Sequence, residues 1–145
     1  MRNIVKVSLL IMIVLPLMGF HDDPAEFYLL LADDMLTKGY PEAALSYLDK
    51  AIETDPACTK AYQSRGFFNL QRGRTDQALR DFSRVIELKP QDPAGYVTRG
   101  MALSQSGKKE LAAADFRKGC DLGDPSACDF LKDSPSGSKP PANAD

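Results

Sequence analysis

The sequence has no tryptophan, one histidine and three cysteines, and each shortage narrows what the chain can do. Zinc hydrolases and serine or cysteine hydrolases lean on imidazole, and the one histidine, His21, lies at the edge of an apolar leader. A basic excess is missing too: 18 Lys and Arg face 20 Asp and Glu, for a formal charge of −2. Neutralising phosphates needs the opposite balance, so nucleic acid is not an expected partner. There is no Gly-rich phosphate loop, carboxylate-rich metal loop or nucleophile elbow. Asp22, Asp23, Asp33, Asp34, Asp121, Asp124 and Asp129 read as helix starts and solvated faces rather than paired catalytic carboxylates. The expectation is therefore a non-enzymatic chain with no cofactor and no metal. Its 145 residues suffice for one domain, and at 43% hydrophobic it is too apolar to be wholly disordered.

What is present begins with a leader. Residues 1–20 carry Arg2 and Lys6, then an uncharged run from Val7 to Phe20. A short basic region followed by an apolar run is the layout of a secretory signal. A membrane-spanning helix wants about 20 apolar residues, and Pro16 interrupts this run near its end. Gly19 suits a cleavage site, whereas Leu17 does not. Residues 1–20 are thus expected to be a signal peptide, or alternatively an uncleaved N-terminal membrane anchor. Either outcome exports the rest, to the periplasm or beyond the cell in the first case and to the outer face of the inner membrane in the second.

From residue 25 to 132 the sequence repeats every 34 residues. Aromatics fall at Tyr28, Tyr62, Tyr96 and Phe130, glycines at Gly39, Gly73 and Gly107, and alanines at Ala44, Ala78 and Ala112. Leu48, Phe82 and Phe116 form a bulky column, and Pro56 and Pro90 close the first two units. A fixed period of this length means stacked supersecondary units. Within a unit, apolar residues recur at helical spacing, as at Phe27, Leu30 and Leu31 and again at Leu45, Leu48 and Ile52. The intervening Gly can end one helix in the left-handed conformation. Pro41, or the chain after Thr75, opens the next helix, and Pro56 or Pro90 stops it. Each unit is therefore expected to be a hairpin of two helices. Gly66, Gly100 and the alanine column leave room where helices meet, and the aromatic and bulky columns are expected to fill the core between units.

This pattern resembles the tetratricopeptide repeat, whose signature is W-x2-L-G-x2-Y, then A-x3-F, then P in 34 residues. The second unit reads Tyr62, Arg65, Gly66, Asn69, Ala78, Phe82, Val85, Pro90, and the first and third follow it from Tyr28 and Tyr96. Tyr replaces Trp, Arg65 and Arg99 replace Leu, and the second Tyr of the signature is missing. The resemblance implies an all-α, right-handed solenoid of three helix hairpins. Its units would span 25–58, 59–92 and 93–126, with a short closing helix at 126–132 and a disordered Ser/Pro/Gly-rich tail at 133–145.

The resemblance also implies that the first helix of each unit lines a concave, partner-binding surface. In register, that surface would hold Glu26, Leu29, Asp33 and Leu36, then Lys60, Gln63, Phe67 and Leu70, then Ala94, Val97, Met101 and Gln105. One subclass of the family grips the C-terminal carboxylate of heat-shock chaperones. Its five clamp positions here hold Leu29, Asp33, Ser64, Ala94 and Thr98, so that mode is not expected. An apolar strip of Leu29, Leu36, Phe67, Leu70, Val97 and Met101, interrupted by Gln63, Gln71 and Gln105, would take an apolar or amphipathic segment of a protein partner. The alternatives are that the chain's own tail covers the strip, that packing between first helices consumes part of it, or that it joins like subunits.

Cys120 and Cys128 have seven residues between them, across the turn into the closing helix. By position they can form a disulfide or remain two buried thiols; thiol chemistry by this pair or by Cys58 is the enzymatic alternative, although a redox pair is more often C-x-x-C beside a strand. The stretch KGCDLGDPSAC resembles cysteine-rich bacterial relatives of the repeat, and that resemblance implies a bonded pair. Export would agree with it. Cys58, in the turn after Pro56, is the odd thiol, either free or linked to another chain.

Overall fold

The computed structural model describes residues 24–132. The leader at 1–20, His21 and the tail at 133–145 lie outside the described residues, as do Asp22 and Asp23. Seven helices follow one another: α1 Pro24–Thr37, α2 Pro41–Thr54, α3 Thr59–Gln71, α4 Thr75–Leu88, α5 Pro93–Gln105, α6 Lys109–Asp121 and α7 Pro125–Lys132. There is no strand among the described residues. Each helix packs chiefly on the one before it and the one after it, which is the contact pattern of a helical solenoid.

The turns inside the hairpins follow from three glycines. Gly39, Gly73 and Gly107 have φ of 80°, 72° and 79°, the left-handed region that costs glycine nothing. Behind each, the chain re-enters a helix at once. Pro41 stands in the first turn of α2. Asp92 caps α5 by accepting from the Ala94 amide at 3.0 Å, and Asp124 does the same for Ala127 at 2.9 Å. Asp124 thereby serves as the helix start expected of it. The closing helix begins at Pro125, one residue before the expected 126.

Close approach between the two helices of a unit defines the core. A Cβ placed on Gly66 would meet Phe82 Cε1 at 2.6 Å, and one on Gly100 would meet Phe116 Cε1 at 2.8 Å. The ring therefore lies directly against glycine backbone. In the first unit the same columns hold Ala32 and Leu48, a larger residue facing a smaller one, and both are buried. Ala44, Ala78 and Ala112 are buried as well, which lets the second helix lie close to its neighbours.

The aromatic column departs from expectation. Tyr28, Tyr62 and Tyr96 are half-buried and Phe130 is exposed: the rings sit at the margin of the core rather than inside it, with Tyr28 packed against the buried Ala25, Ala51 and Ala61. Their chemistry supplies the reason, since a phenol needs a hydrogen-bond partner and settles where one end stays wet. Tyr62 donates to the Pro56 carbonyl at 3.4 Å and Tyr96 to the Pro90 carbonyl at 3.2 Å. Each tyrosine thus fastens its helix to the proline that ended the unit before. Phe130 has no such bond and instead stacks on Phe116, with centroids 4.7 Å apart.

Gly66→Ala is expected to destabilise the fold by about 1–3 kcal/mol through overpacking against Phe82. Adding Phe82→Leu recreates the Ala32–Leu48 pairing of the first unit and is expected to recover part of that loss. Urea denaturation followed by circular dichroism measures both, and additive losses in the double variant would contradict the fit described.

Candidate functional site

The solenoid exposes two different sides. On one, α1 and α3 border an open recess of about 460 Å³, floored by Leu29, Ala32, Leu48 and Phe67. Asp33, Leu36 and Gln63 stand around it. Five of the expected groove residues, Leu29, Asp33, Leu36, Gln63 and Phe67, therefore share one concavity. Glu26 and Lys60, one period apart, meet at its edge at 3.2 Å. Both are exposed, so the pair orients side chains more than it stabilises. Asp33 is exposed and makes no ion pair or side-chain hydrogen bond among the described residues.

The expected apolar strip is not continuous. Leu36, Phe67 and Met101 are exposed and available. Leu29 is half-buried against Ala25 and Ala32, and Leu70 packs on the cluster of Ala78, Phe82 and Ala102. Val97 reaches away from the recess, with its Cγ2 against the backbone of Gly119 in α6. Gln105, the last residue of α5, is exposed and does not border the recess. Packing between helices thus consumes half of the strip, one of the alternatives the sequence leaves open. Phe67 does both jobs, since its edge packs on Phe82 at 5.2 Å between centroids while much of the ring stays in solvent.

On the other side, two arginines tie the units together. Arg65 bonds both oxygens of Asp81 in its own unit, at 3.1 and 2.7 Å, and Asp49 of the preceding unit at 2.7 Å. Arg99 repeats this with both oxygens of Asp115, at 2.7 and 2.8 Å, and with the Ser83 hydroxyl at 3.0 Å. The hydrogen bonds Arg65 donates to Asp81, opposed by burial and helped by Asp49, raise the Arg65 pKa above its ordinary value. Asp115 does the same for Arg99. A raised arginine pKa means stability that is fully present below the ordinary value and lost only as pH climbs through the folded one. Both guanidinium groups are therefore charged at every working pH. The sequence marks Arg65 and Arg99 only as departures from Leu. The signal for their role is an Asp sixteen residues further on in each case.

The structure sets Cys120, near the end of α6, beside Cys128 in α7, with Cα atoms 4.8 Å apart, inside the span of a disulfide. Cys58 is half-buried and free. Among the described residues there is no cluster of three or more His, Cys, Asp or Glu placed to hold a metal ion. No helix among them is long and apolar enough to cross a membrane.

Comparison with known proteins agrees with this geometry. The family model of the tetratricopeptide repeat matches residues 29–93 and again residues 69–127. No curated protein matches the sequence. Among solved structures, the N-terminal domain of stress-induced protein-1 from C. elegans superposes with a TM-score of 0.69 at 19% identity, over 76% of this chain and 93% of that one. The first repeat domain of Spaghetti, bound to an HSP90 peptide, gives 0.68 at 20% identity over 79% and 94%. YrrB, described as having an unusual peptide-binding site, gives 0.67 at 23% identity over 76% of this chain and 57% of that one.

The two carboxylates on Arg65 are expected to differ in worth. Asp81 is 7% exposed and Asp49 is 48% exposed. Asp81→Ala is expected to cost about 2–4 kcal/mol, because it leaves a partly buried guanidinium short of partners. Asp49→Ala is expected to cost about 1 kcal/mol or less. Chemical denaturation of the two variants side by side checks this, and equal losses would contradict it.

Proposed function

The chain belongs to the tetratricopeptide repeat family, and on that premise we propose that it is an exported, non-catalytic scaffold of the bacterial cell envelope. It holds a partner protein's segment in the recess between α1 and α3. The observation that carries this reading is the exposed apolar floor between two first helices, where Leu36 and much of the Phe67 ring face solvent. Burying each such side chain contributes on the order of 1.5–3 kcal/mol, enough in combination for micromolar binding after association costs. The solved relatives support a peptide as occupant, since Spaghetti is bound to one and YrrB carries a site for one.

Charge refines the partner's chemistry. Glu26 and Lys60 answer each other, so Asp33 is left as the uncompensated charge on the recess. The five clamp positions of chaperone-binding relatives hold no cation here. We therefore assign the recess to an apolar or amphipathic segment that carries a basic residue, with Gln63 orienting its main chain. Export rests on the basic and apolar character of residues 1–20 and agrees with a bonded Cys120–Cys128 pair. An uncleaved leader would instead anchor the same scaffold to the inner membrane.

Self-association is a second reading with its own observation. Phe27, which does not border the recess, is 57% exposed on α1, and no unit of the array lies beyond it among the described residues.

One crosslinking experiment separates the two readings. A photoactivatable residue at Leu36 in living cells is expected to capture a partner polypeptide, and Leu36→Ala with Phe67→Ala is expected to lower affinity for that partner about tenfold or more. Products of twice the chain's mass from position 27, with none from position 36, would favour like subunits and overturn the recess reading. Protein purified from the envelope is expected to begin after residue 20 and to gain the mass of two hydrogens on reduction. Loss of that bond is expected to cost about 2–3 kcal/mol, and a free-thiol pair in such material would remove the redox support for export.

A further inference from the structure

A crevice of about 340 Å³ opens between α2, α3 and α4, on the far side of α3 from the recess. At about 100° per residue, Lys60, Gln63, Ser64 and Phe67 share one side of α3, and Arg65 and Asn69 share the other. Nothing in the scaffold reading uses this crevice, and three observations say what it is built to hold.

Asn69 is the first. Its column holds Met35 in the first unit and Leu103 in the third, both apolar. In the second unit a polar amide replaces them and lines the crevice instead of filling it. Asn69 is 4% exposed, and its buried Oδ1 has no hydrogen-bond partner. A buried acceptor without a donor is destabilising.

Charge is the second. Arg65 is fully engaged with Asp49 and Asp81, one cation against two carboxylates, so the crevice is cationic overall only through Arg74 and Arg80. Arg74 and Arg80 also line the crevice, and their guanidinium groups make no ion pair or side-chain hydrogen bond among the described residues. The third observation is the lining itself, in which Gln77 adds a second amide and Leu45 alone is apolar. Apolar occupants are therefore poorly served. A simple anion would satisfy the arginines but leave Asn69 Oδ1 without a donor. An acidic stretch of polypeptide offers carboxylates for the guanidinium forks and main-chain N–H and C=O groups side by side for the amides.

We propose that the crevice between α2, α3 and α4 is a second binding site, which takes an acidic peptide segment with carboxylates on Arg74 and Arg80 and main-chain amides on Asn69 and Gln77. The recess and the crevice then accept segments of opposite charge on opposite sides of one helix.

The test is fluorescence anisotropy of a labelled, capped oligoglutamate peptide titrated with the full chain. Saturable binding that weakens with added salt is expected. Arg74→Gln with Arg80→Gln, both at exposed positions, is expected to lower affinity on the order of tenfold or more. Asn69→Leu, which restores the apolar column, is expected to lower it by a similar factor in a chain whose helical signal is intact. If that variant fails to fold, the arginine pair still decides. Leu36→Ala with Phe67→Ala is expected to change nothing. Absence of binding, wild-type affinity in the arginine pair, or equal competition by sodium phosphate at the same ionic strength would overturn the proposal. So would loss of binding in the Leu36/Phe67 variant, which would move the peptide into the recess. Failure of the scaffold reading is recorded at positions 36 and 67, so the two outcomes remain distinguishable.

Discussion

Contact between glycine backbone and a phenylalanine ring is the constraint on which the rest depends. With Gly66 against Phe82 and Gly100 against Phe116, the two helices of each unit lie at a separation that no larger residue at the glycine would permit. The first unit reaches an equivalent arrangement with Ala32 and Leu48, which shows that the summed volume of the pair is what matters, not either residue alone. Once that spacing is set, the turn glycines bring the chain back antiparallel and the closing prolines aim it at the next unit. The recess and the crevice are both by-products of the resulting offset between successive hairpins.

The two sides of the array are held by different physics. Where first helices adjoin, the surface is largely apolar, with the exposed Glu26–Lys60 pair at its edge, and part of it stays uncovered. Between second helices, the arginine forks of Arg65 and Arg99 bind each unit to the one before with charge-assisted hydrogen bonds. Those forks absorb acidic groups that would otherwise repel a negatively charged ligand. The side that most needs polar ties for its own assembly is consequently also the side with cationic surface to spare.

Much of the fold was legible in the sequence because its determinants are small residues at fixed intervals. Gly39, Gly73 and Gly107 mark turns without any knowledge of packing, and Ala44, Ala78 and Ala112 mark close approach. The site was legible only by column. A period of 34 assigns Leu29, Leu70 and Val97 to the same helices as Leu36 and Phe67, but not the rotation that sends Val97 toward Gly119 while Phe67 stays half in solvent. That rotation is set by neighbours in three dimensions. The tyrosine column misled for a related reason: periodicity reveals a repeated role without revealing that the role is a hydrogen bond to a proline carbonyl. Asn69 was visible as a missing tyrosine, yet only the coordinates show that the exchange leaves an acceptor buried alone.

The two ends of the described array are unlike. At the carboxyl end, α7 covers α6: Ala127 is buried close to Gly119, Phe130 lies flat on Phe116, and Cys128 sits beside Cys120. At the amino end, α1 presents Phe27 and Leu30 with nothing laid over them among the described residues. A chain of nearest-neighbour contacts melts from its least anchored terminus. Thermal fraying should therefore run in one direction, loosening the α1–α2 hairpin from α3 while the last hairpin is still intact, and the recess bordered by α1 and α3 would be lost before the remainder of the solenoid loosens.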